Sequence, residues 1–158
     1  MSASTQPFAV QYGEGRALPT PTGDTAIVKA DTARTNGSLT VIELVVAEKQ
    51  GPALHIHRRE DELWYVISGE FRFKTGDDIL RASTGGMAFG PRGTPHCFQN
   101  IGDETGRLLV ITTPSGLERF FEEFAQLTPD GTQEQLATVA HRSWIDFIGP
   151  PVGESDPL

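Results

Sequence analysis

The sequence predicts an all-β fold, a sandwich or barrel of short antiparallel strands, on three observations. Short apolar or alternating runs follow one another from Ala26 to Gly116, separated by Gly, Pro, Asn and Asp. The stretch "GEFRFKTGDD" alternates Phe71 and Phe73 with charged residues and ends in a Gly-Asp turn, as a half-exposed strand does. No long helical pattern interrupts this region, which disfavours a parallel α/β sheet.

The elements follow in chain order. Residues 1–23 are rich in Pro, Gly, Ser and Thr and predict a loosely attached N-terminal arm or an edge segment. Residues 24–115 are predicted to form the β-barrel, with strands in "TAIVKA", "LTVIELVV", "LWYVISGEFRFK", "MAFG" and "RLLVITT".

Residues 116–158 are predicted to form a helical segment and a tail that pack on the barrel. Ser115 and Glu118 have the spacing of a capping box, and apolar residues recur at helical spacing until Pro129. A second short helix is predicted from Thr132, with Gln135 three residues on. The final "IGPPVGESDPL" is expected to be an extended tail.

Composition limits the classes of partner. A chain of 158 residues suits one domain, and its net charge of -8 repels phosphate backbones, so no nucleic-acid partner is expected. No apolar run approaches the roughly 20 residues of a membrane span, and no secretory signal begins the chain. Its one cysteine, Cys97, has no internal disulfide partner, and we expect a cytoplasmic protein with no membrane partner.

Two nearby histidines predict part of a metal site. His55 and His57 would point to the same face of a strand, Glu62 follows after four residues, and His96 comes from a later strand. Three imidazoles and one carboxylate would leave exchangeable positions on an octahedral metal, as in catalytic sites. The alternative is that the histidine pair is accidental and that "RREDE" is a solvated turn.

The spacing around these residues resembles that of the cupin superfamily. His55, His57, Glu62 and Gly69 fall at the positions of its first motif. Its second motif is matched by Gly85, Pro91, Gly93, His96 and Asn100. The resemblance implies a cupin-type double-stranded β-helix, a jelly-roll barrel, with short C-terminal helices. Two positions depart from the motifs, Lys49 where a glycine is usual and Gly86 where an acidic residue is common.

The order of segments further resembles single-domain cupins of the quercetin 2,3-dioxygenase-like kind. That resemblance implies that His55, His57, Glu62 and His96 hold one divalent transition metal, either Fe, Mn, Ni, Co, Cu or Zn. It also implies that Glu62 is catalytic and accepts a proton from an enol substrate.

Three further residues are expected to line a substrate cavity. Trp64, Val66 and Phe98 would share a face with Glu62 and His96, although each could equally belong to the ordinary barrel core. Cys97 would point away from His96 and behave as a small buried hydrophobe. We also expect a homodimer that associates through edge strands.

The leading functional hypothesis is a metal-dependent, quercetinase-like dioxygenase that combines a small aromatic or polyketide-like enol with O2. One alternative keeps the metal as a Lewis acid for isomerisation, cyclisation, decarboxylation or dehydration. Another is a non-catalytic module that binds a small ligand, and the last is a structural cupin without metal.

Overall fold

The computed structural model describes residues 5–127 and 129–158, so the first four residues of the predicted N-terminal arm lie outside the described residues. Two antiparallel sheets form a jelly-roll barrel of the cupin type, as the sequence predicted. One sheet has six strands, in the order β1 (Arg16–Pro19), β2 (Thr25–Ala30), β3 (Thr40–Val46), β10 (Gly106–Thr113), β5 (Asp61–Ser68) and β8 (Met87–Gly90). The other has five, in the order β11 (Ile145–Pro151), β4 (Ala53–His57), β9 (His96–Asn100), β6 (Glu70–Thr75) and β7 (Asp78–Ser83).

The core lies between the two sheets. Along β2 and β5, buried residues alternate with more exposed ones, which is the period-two pattern of a strand with one face inward. Side chains from both sheets fill the interior with no solvent exposure, among them Ile42, Trp64, Phe71, Phe73 and Leu108. Strand alternation therefore determines which side chains reach the barrel interior.

Two strands lie outside the range 24–115 that the sequence predicts for the barrel. β1 lies within the predicted N-terminal arm and pairs with β2. β11 begins before the expected extended tail, overlaps it at residues 148–151, and pairs with β4. The sequence does not predict a strand here because it contains Pro150 and Pro151. A strand at the end of a sheet can contain prolines, because one side of its backbone is unpaired.

In the described part of the chain, four helices accompany the sheets: α1 (Thr32–Thr35), α2 (Glu118–Leu127), α3 (Gln133–Arg142) and α4 (Val152–Ser155). The capping box predicted for α3 is confirmed, because Thr132 and Gln135 bond reciprocally at its start. The capping box predicted for Ser115 and Glu118 is wrong. The Glu118 carboxylate instead accepts hydrogen bonds from Thr32 and Thr40, and the Ser115 hydroxyl has no partner.

The helices of the described ranges, 5–127 and 129–158, include none that is both long enough and apolar enough to cross a membrane.

Candidate metal centre

Two neighbouring strands of the five-stranded sheet carry the three histidines of the predicted site. In β4, His55 and His57 are two residues apart and both are buried. In β9, His96 lies directly opposite His55 in the antiparallel register. The imidazole centroids are consequently close, 4.7 Å apart for His55 and His96 and 5.2 Å apart for His57 and His96.

The carboxylate comes from the opposite sheet. Glu62 lies near the start of β5, and its Oε2 atom is 2.8 Å from His96 Nε2 and 3.0 Å from His57 Nε2. One ligand atom from each of the four residues lies within 4.8 Å of the others, and all four side chains are buried. The structure therefore brings together the four predicted metal ligands, one sheet contributing the imidazoles and the other the carboxylate.

The orientations of the imidazoles fit a metal site. His55 Nδ1 lies 2.7 Å from the Ala53 carbonyl oxygen, to which it donates, and this leaves Nε2 free as a ligand. His57 and His96 direct their Nε2 atoms at Glu62. Three nitrogen donors and one oxygen donor around one point form a set that first-row divalent metals accept, so this buried group can bind a metal.

Burial and charge determine the protonation of the group. Burial, with smaller contributions from His96 and His57, lowers the pKa of His55 to about 3, so this imidazole is neutral. Burial opposes a charge on His57, but the charge of Glu62, the contact between Glu62 and His57 Nε2, and the nearby Glu60 carboxylate outweigh it and raise the His57 pKa to about 9. Burial likewise opposes ionisation of Glu62, but His57 and His96 hold its pKa well below the usual value.

Glu60 is a member of the site that the sequence analysis missed. It is 2% exposed, although it lies in the charged run "RREDE" that was interpreted as a turn. Its Oε2 atom lies 3.6 Å from His57 Nδ1, and neither atom has another hydrogen-bond partner. In the sequence, the only indication that Glu60 contacts His57 is that it follows His57 by three residues, and this spacing is not specific to metal sites.

A cavity of about 490 Å³ adjoins the four-residue group. Its wall includes His55, His57 and Glu62, whereas most of the other lining side chains are apolar. Cavities of this volume hold small organic molecules. The candidate ligands thus face a space that is large enough for a substrate.

The three residues expected to line the cavity have different positions. Phe98 lies on its wall. Trp64 and Val66 have no solvent exposure and do not line it. The Trp64 ring packs between Phe73, at 5.3 Å, and His96, at 5.0 Å. Alternation along β5 predicted the inward face correctly, but it gave no information on which inward residues reach the cavity and which pack beneath it.

Further aromatic residues of the wall come from the C-terminal part of the chain. Phe147 in β11 lies opposite His55 of β4, and the centroids of the two rings are 5.9 Å apart. The ring of Phe120 in α2 contacts Phe147 at 6.1 Å. Phe147 could not be assigned to the cavity from the sequence, because its position depends on the long-range pairing of β11 with β4.

The loop that precedes β4 contains Lys49, which departs from the first motif, and Gly51, a glycine two residues later. Lys49 adopts a left-handed conformation, with φ of 62°, in the position where the motif has glycine. Gly51 packs so closely on β9 that a Cβ atom would lie 1.8 Å from the Phe98 carbonyl oxygen. The replacement of the motif glycine by Lys49 is therefore confined to the loop, and β4 still packs beside β9.

Comparisons with known proteins agree with the fold. The Cupin domain family matches residues 41–112, which include all four candidate ligands. No curated protein sequence matches the chain. These residues and the similar structures described next support the cupin superfamily.

Solved structures resemble the barrel despite low sequence identity. KdgF from a Halomonas species is 18% identical over 72% of this chain and 98% of its own, with a TM-score of 0.62. An RmlC-like cupin from Shewanella frigidimarina is 18% identical over 73% and 98%, with a TM-score of 0.60. A predicted oxalate decarboxylase from Thermotoga maritima is 18% identical over 68% and 99%, also with a TM-score of 0.60. At these identities the likeness shows the fold alone.

Proposed function

We propose that the chain is a metal-dependent enzyme, a quercetinase-like dioxygenase that acts on a small aromatic or enolic substrate. The observation that carries the proposal is the buried group of three imidazoles and one carboxylate beside a cavity of about 490 Å³, whose wall includes two of the imidazoles and the carboxylate. Enzymes among the structures with this fold make a catalytic role plausible. A metal that served only to hold the barrel together would have no need of an adjoining cavity.

His55, His57, Glu62 and His96 would hold one divalent transition metal, either Fe, Mn, Ni, Co, Cu or Zn. Such a metal supplies Lewis acidity towards an enolic oxygen and, when it is redox-active, electrons for the chemistry of dioxygen.

The protein side chains supply the acid–base chemistry and the environment. Glu62 presents a carboxylate at the cavity wall, and this carboxylate would accept the proton of an enol hydroxyl. Loss of that proton makes the substrate electron-rich at the carbon that dioxygen attacks. The apolar cavity wall would exclude water from this carbon and orient the substrate by contact with rings such as Phe98.

Oxygen uptake by metal-loaded protein tests the proposal. The purified chain would be loaded with each candidate metal in turn and incubated aerobically with flavonols and simpler aromatic enols. We expect uptake with at least one metal, and we expect Glu62→Gln to reduce it by about 10²–10⁴-fold, the usual contribution of a general base. His96→Ala should abolish it, whereas Glu70→Gln, at an exposed position of β6, should leave it unchanged.

Two results would contradict the oxygenase. Absence of oxygen uptake with every metal and every enol would show that the chain is not an oxygenase of this kind. Turnover of the same substrates at an equal rate under argon would replace it with the non-oxidative Lewis-acid chemistry that the same ligand group could support. Tight binding without any product would instead indicate a ligand-binding module.

We also propose that the chain forms a homodimer and acts in the cytoplasm. Strand β8 ends the six-stranded sheet, and its Met87 and Phe89 side chains are 52% and 49% exposed. Across β5 their register partners are Tyr65 and Leu63, so apolar side chains form two rows on the outer face. A second copy related by a two-fold axis would cover this face. The cytoplasmic location is supported by Cys97, which is buried as a free thiol whose pKa burial raises to about 11.

A further inference from the structure

The cavity beside the candidate ligands meets solvent at two elements. Of its lining residues, all from the described ranges, three are exposed to solvent: Pro21, Gln133 and Ala137. Pro21 lies in the turn between β1 and β2, whereas Gln133 and Ala137 lie four residues apart on one face of α3. A residue that borders both the cavity and the solvent marks the place where the cavity opens. The opening therefore lies between the β1–β2 turn and helix α3, and we call it the entrance.

The β1–β2 turn, residues 20–24, forms a fixed side of the entrance. The Thr20 amide donates a hydrogen bond to the Asp24 carbonyl oxygen, at 3.1 Å, and this bond closes the turn. The Asp24 carboxylate accepts hydrogen bonds from the Thr22 hydroxyl and from the amide of Ala47, which directly follows β3. Because the turn is bonded both to itself and to the end of β3, its position at the entrance is well defined.

Helix α3 forms the other side of the entrance, and its buried contacts lie towards its C-terminal end. Its buried residues, Val139 and Ala140, are both in the second half of the helix. In the described stretch 133–138 no side chain is buried, although the half-buried Leu136 packs against the core. Few buried contacts therefore hold the half of the helix that borders the entrance.

Ala137 has the smallest side chain of the three exposed lining residues. That side chain is a single methyl group, so the same group borders the cavity and the solvent. Because the opposite side of the entrance is fixed by its hydrogen bonds, a larger side chain at position 137 would occupy the opening itself. The neighbouring Thr138 is also exposed but does not line the cavity, so a larger side chain there would leave the entrance open.

We propose that ligands reach the cavity through the entrance between the β1–β2 turn and α3, and that Ala137 determines the size of the ligand that can pass. The inference rests on the proposed function in one respect, since the ligand that enters would be the substrate of the metal site. An obstacle at an entrance slows association and dissociation alike, because it raises the barrier between the free and the bound state without changing either. This kinetic signature distinguishes an entrance residue from one that contacts the bound ligand.

Stopped-flow fluorescence with the chelator-treated, metal-free chain tests the inference without any turnover. The probe is N-phenyl-1-naphthylamine, an uncharged dye whose fluorescence rises in apolar surroundings. We expect Ala137→Trp to lower its association and dissociation rate constants by at least about tenfold and to change its Kd by less than about threefold. The smaller 1-naphthylamine, which lacks the phenyl ring, should be slowed by less than about threefold. Thr138→Trp is the matched control and should bind both probes at the original rates.

A second variant narrows the entrance only after the protein has folded. Ala137→Cys places a thiol at the opening, and this thiol adds across the double bond of N-phenylmaleimide to attach a bulky group. The native Cys97 has no solvent exposure and should not react, which the original chain treated in the same way would verify. Labelling of Ala137→Cys should slow dye association by at least about tenfold, whereas labelling of Thr138→Cys should leave it unchanged.

The inference is overturned if the dye does not bind the original chain, or if Ala137→Trp, folded by circular dichroism, binds it at the original rates. It is also overturned if changes at positions 137 and 138 slow the dye equally, or if Ala137→Trp weakens dye affinity as much as it lowers the association rate constant. These outcomes are independent of the proposed enzyme activity. Slower dye entry in the position-137 variants without any metal-dependent turnover would support the inference and contradict the enzyme, and oxygen uptake without any change in dye entry would do the reverse.

Discussion

At the scale of single residues, the candidate metal site depends on a carboxylate outside the four predicted ligands. Glu60 is buried beside His57, and its Oε2 atom faces an Nδ1 atom that has no other partner. A carboxylate in this position favours the His57 tautomer with a proton on Nδ1, which leaves Nε2 as the ligand atom. Groups that orient a metal-binding histidine in this way affect metal affinity strongly, although they do not touch the metal.

We therefore predict that Glu60→Ala weakens zinc binding by about 10–100-fold, the usual cost of removing such a partner. Glu60→Gln should weaken zinc binding less than Glu60→Ala does, because the amide oxygen can still accept a hydrogen bond from His57 Nδ1. Competition with a chromogenic chelator at neutral pH measures the affinity. His96→Ala removes a candidate ligand and should therefore weaken zinc binding more than either Glu60 variant, so it serves as the reference.

Glu70→Gln is the control for an acidic residue at an exposed position, and it should bind zinc as the original chain does. Equal zinc affinity of Glu60→Ala and the original chain would show that Glu60 has no part in orienting His57.

The candidate ligands could be predicted from sequence, whereas Glu60 could not. Strand alternation and motif spacing place His55, His57 and His96 on inward faces. The role of Glu60 depends on the path of residues 58–60, which turn between β4 and β5 and bury one acidic side chain of a charged run. Charged runs are usually solvated, so composition alone indicated the opposite environment.

At the scale of elements, α2 and β11 contribute residues to the wall that covers the cavity of the barrel. Helix α2 is fixed to the barrel at its first residue. The Glu118 carboxylate accepts hydrogen bonds from the Thr32 amide and hydroxyl and from the Thr40 hydroxyl, so it connects α1, β3 and α2. Burial alone would raise the pKa of Glu118, but these hydrogen bonds hold it below the usual value.

We predict that Glu118→Gln lowers the free energy of unfolding by roughly 2–3 kcal/mol at neutral pH, since hydrogen bonds to a charged group are lost. A carboxyl group whose pKa is lowered in the folded state contributes stability above its ordinary pKa of 4.5, and that contribution is lost as the pH falls through the folded value. The difference in stability between the original chain and the variant should therefore shrink below about pH 4.5. Urea denaturation at several pH values measures it.

Glu123→Gln, on the same helix and partly exposed, should change stability by no more than about 0.5 kcal/mol at any of these pH values. A difference for Glu118→Gln that stayed constant down to about pH 3 would contradict the assigned role of the ionised carboxylate.

The elements that the sequence predicted correctly are those in which local pattern and packing agree. The capping box of α3 needs only Thr132 and Gln135, which are local. The capping box expected at Ser115 failed because Glu118 found buried partners 86 and 78 residues away in sequence. β11 was missed for a related reason, since its pairing with β4 is long-range and its prolines resemble those of a tail.

At the scale of the whole molecule, the jelly roll brings together residues that are distant along the chain. The ligand group needs both sheets, because β5 belongs to one and β4 and β9 belong to the other. The overall fold was predictable because the glycine, proline and histidine positions of two motifs agreed with the strand pattern. The extent of the cavity was not, because its wall includes α2, α3 and β11, whose positions depend on tertiary packing.

The outer face of the six-stranded sheet is the remaining feature at this scale. Exposed and half-buried apolar residues form rows across β8, β5 and β10, where Leu109 and Ile111 lie opposite Tyr65 and Leu63. Single exposed apolar residues are ordinary on a protein surface, but a contiguous face of them beside the free edge of β8 favours association. A symmetric contact between two copies would cover both faces at once.

We accordingly predict that the chain elutes as a dimer, with twice the mass of the chain by light scattering. Phe89→Glu and Tyr65→Glu, which place like charges on both sides of a two-fold contact, should each convert it to a monomer at micromolar concentration because the buried charges repel each other and lose solvation. Ile148→Glu, at a residue of the other sheet that is 49% exposed, is the matched control and should remain a dimer. Because the proposed contact lies on the outer face and the candidate ligands lie inside the barrel, the monomeric variants should still bind zinc. A monomeric original chain, or dimers in both charge variants, would show that this face does not mediate association.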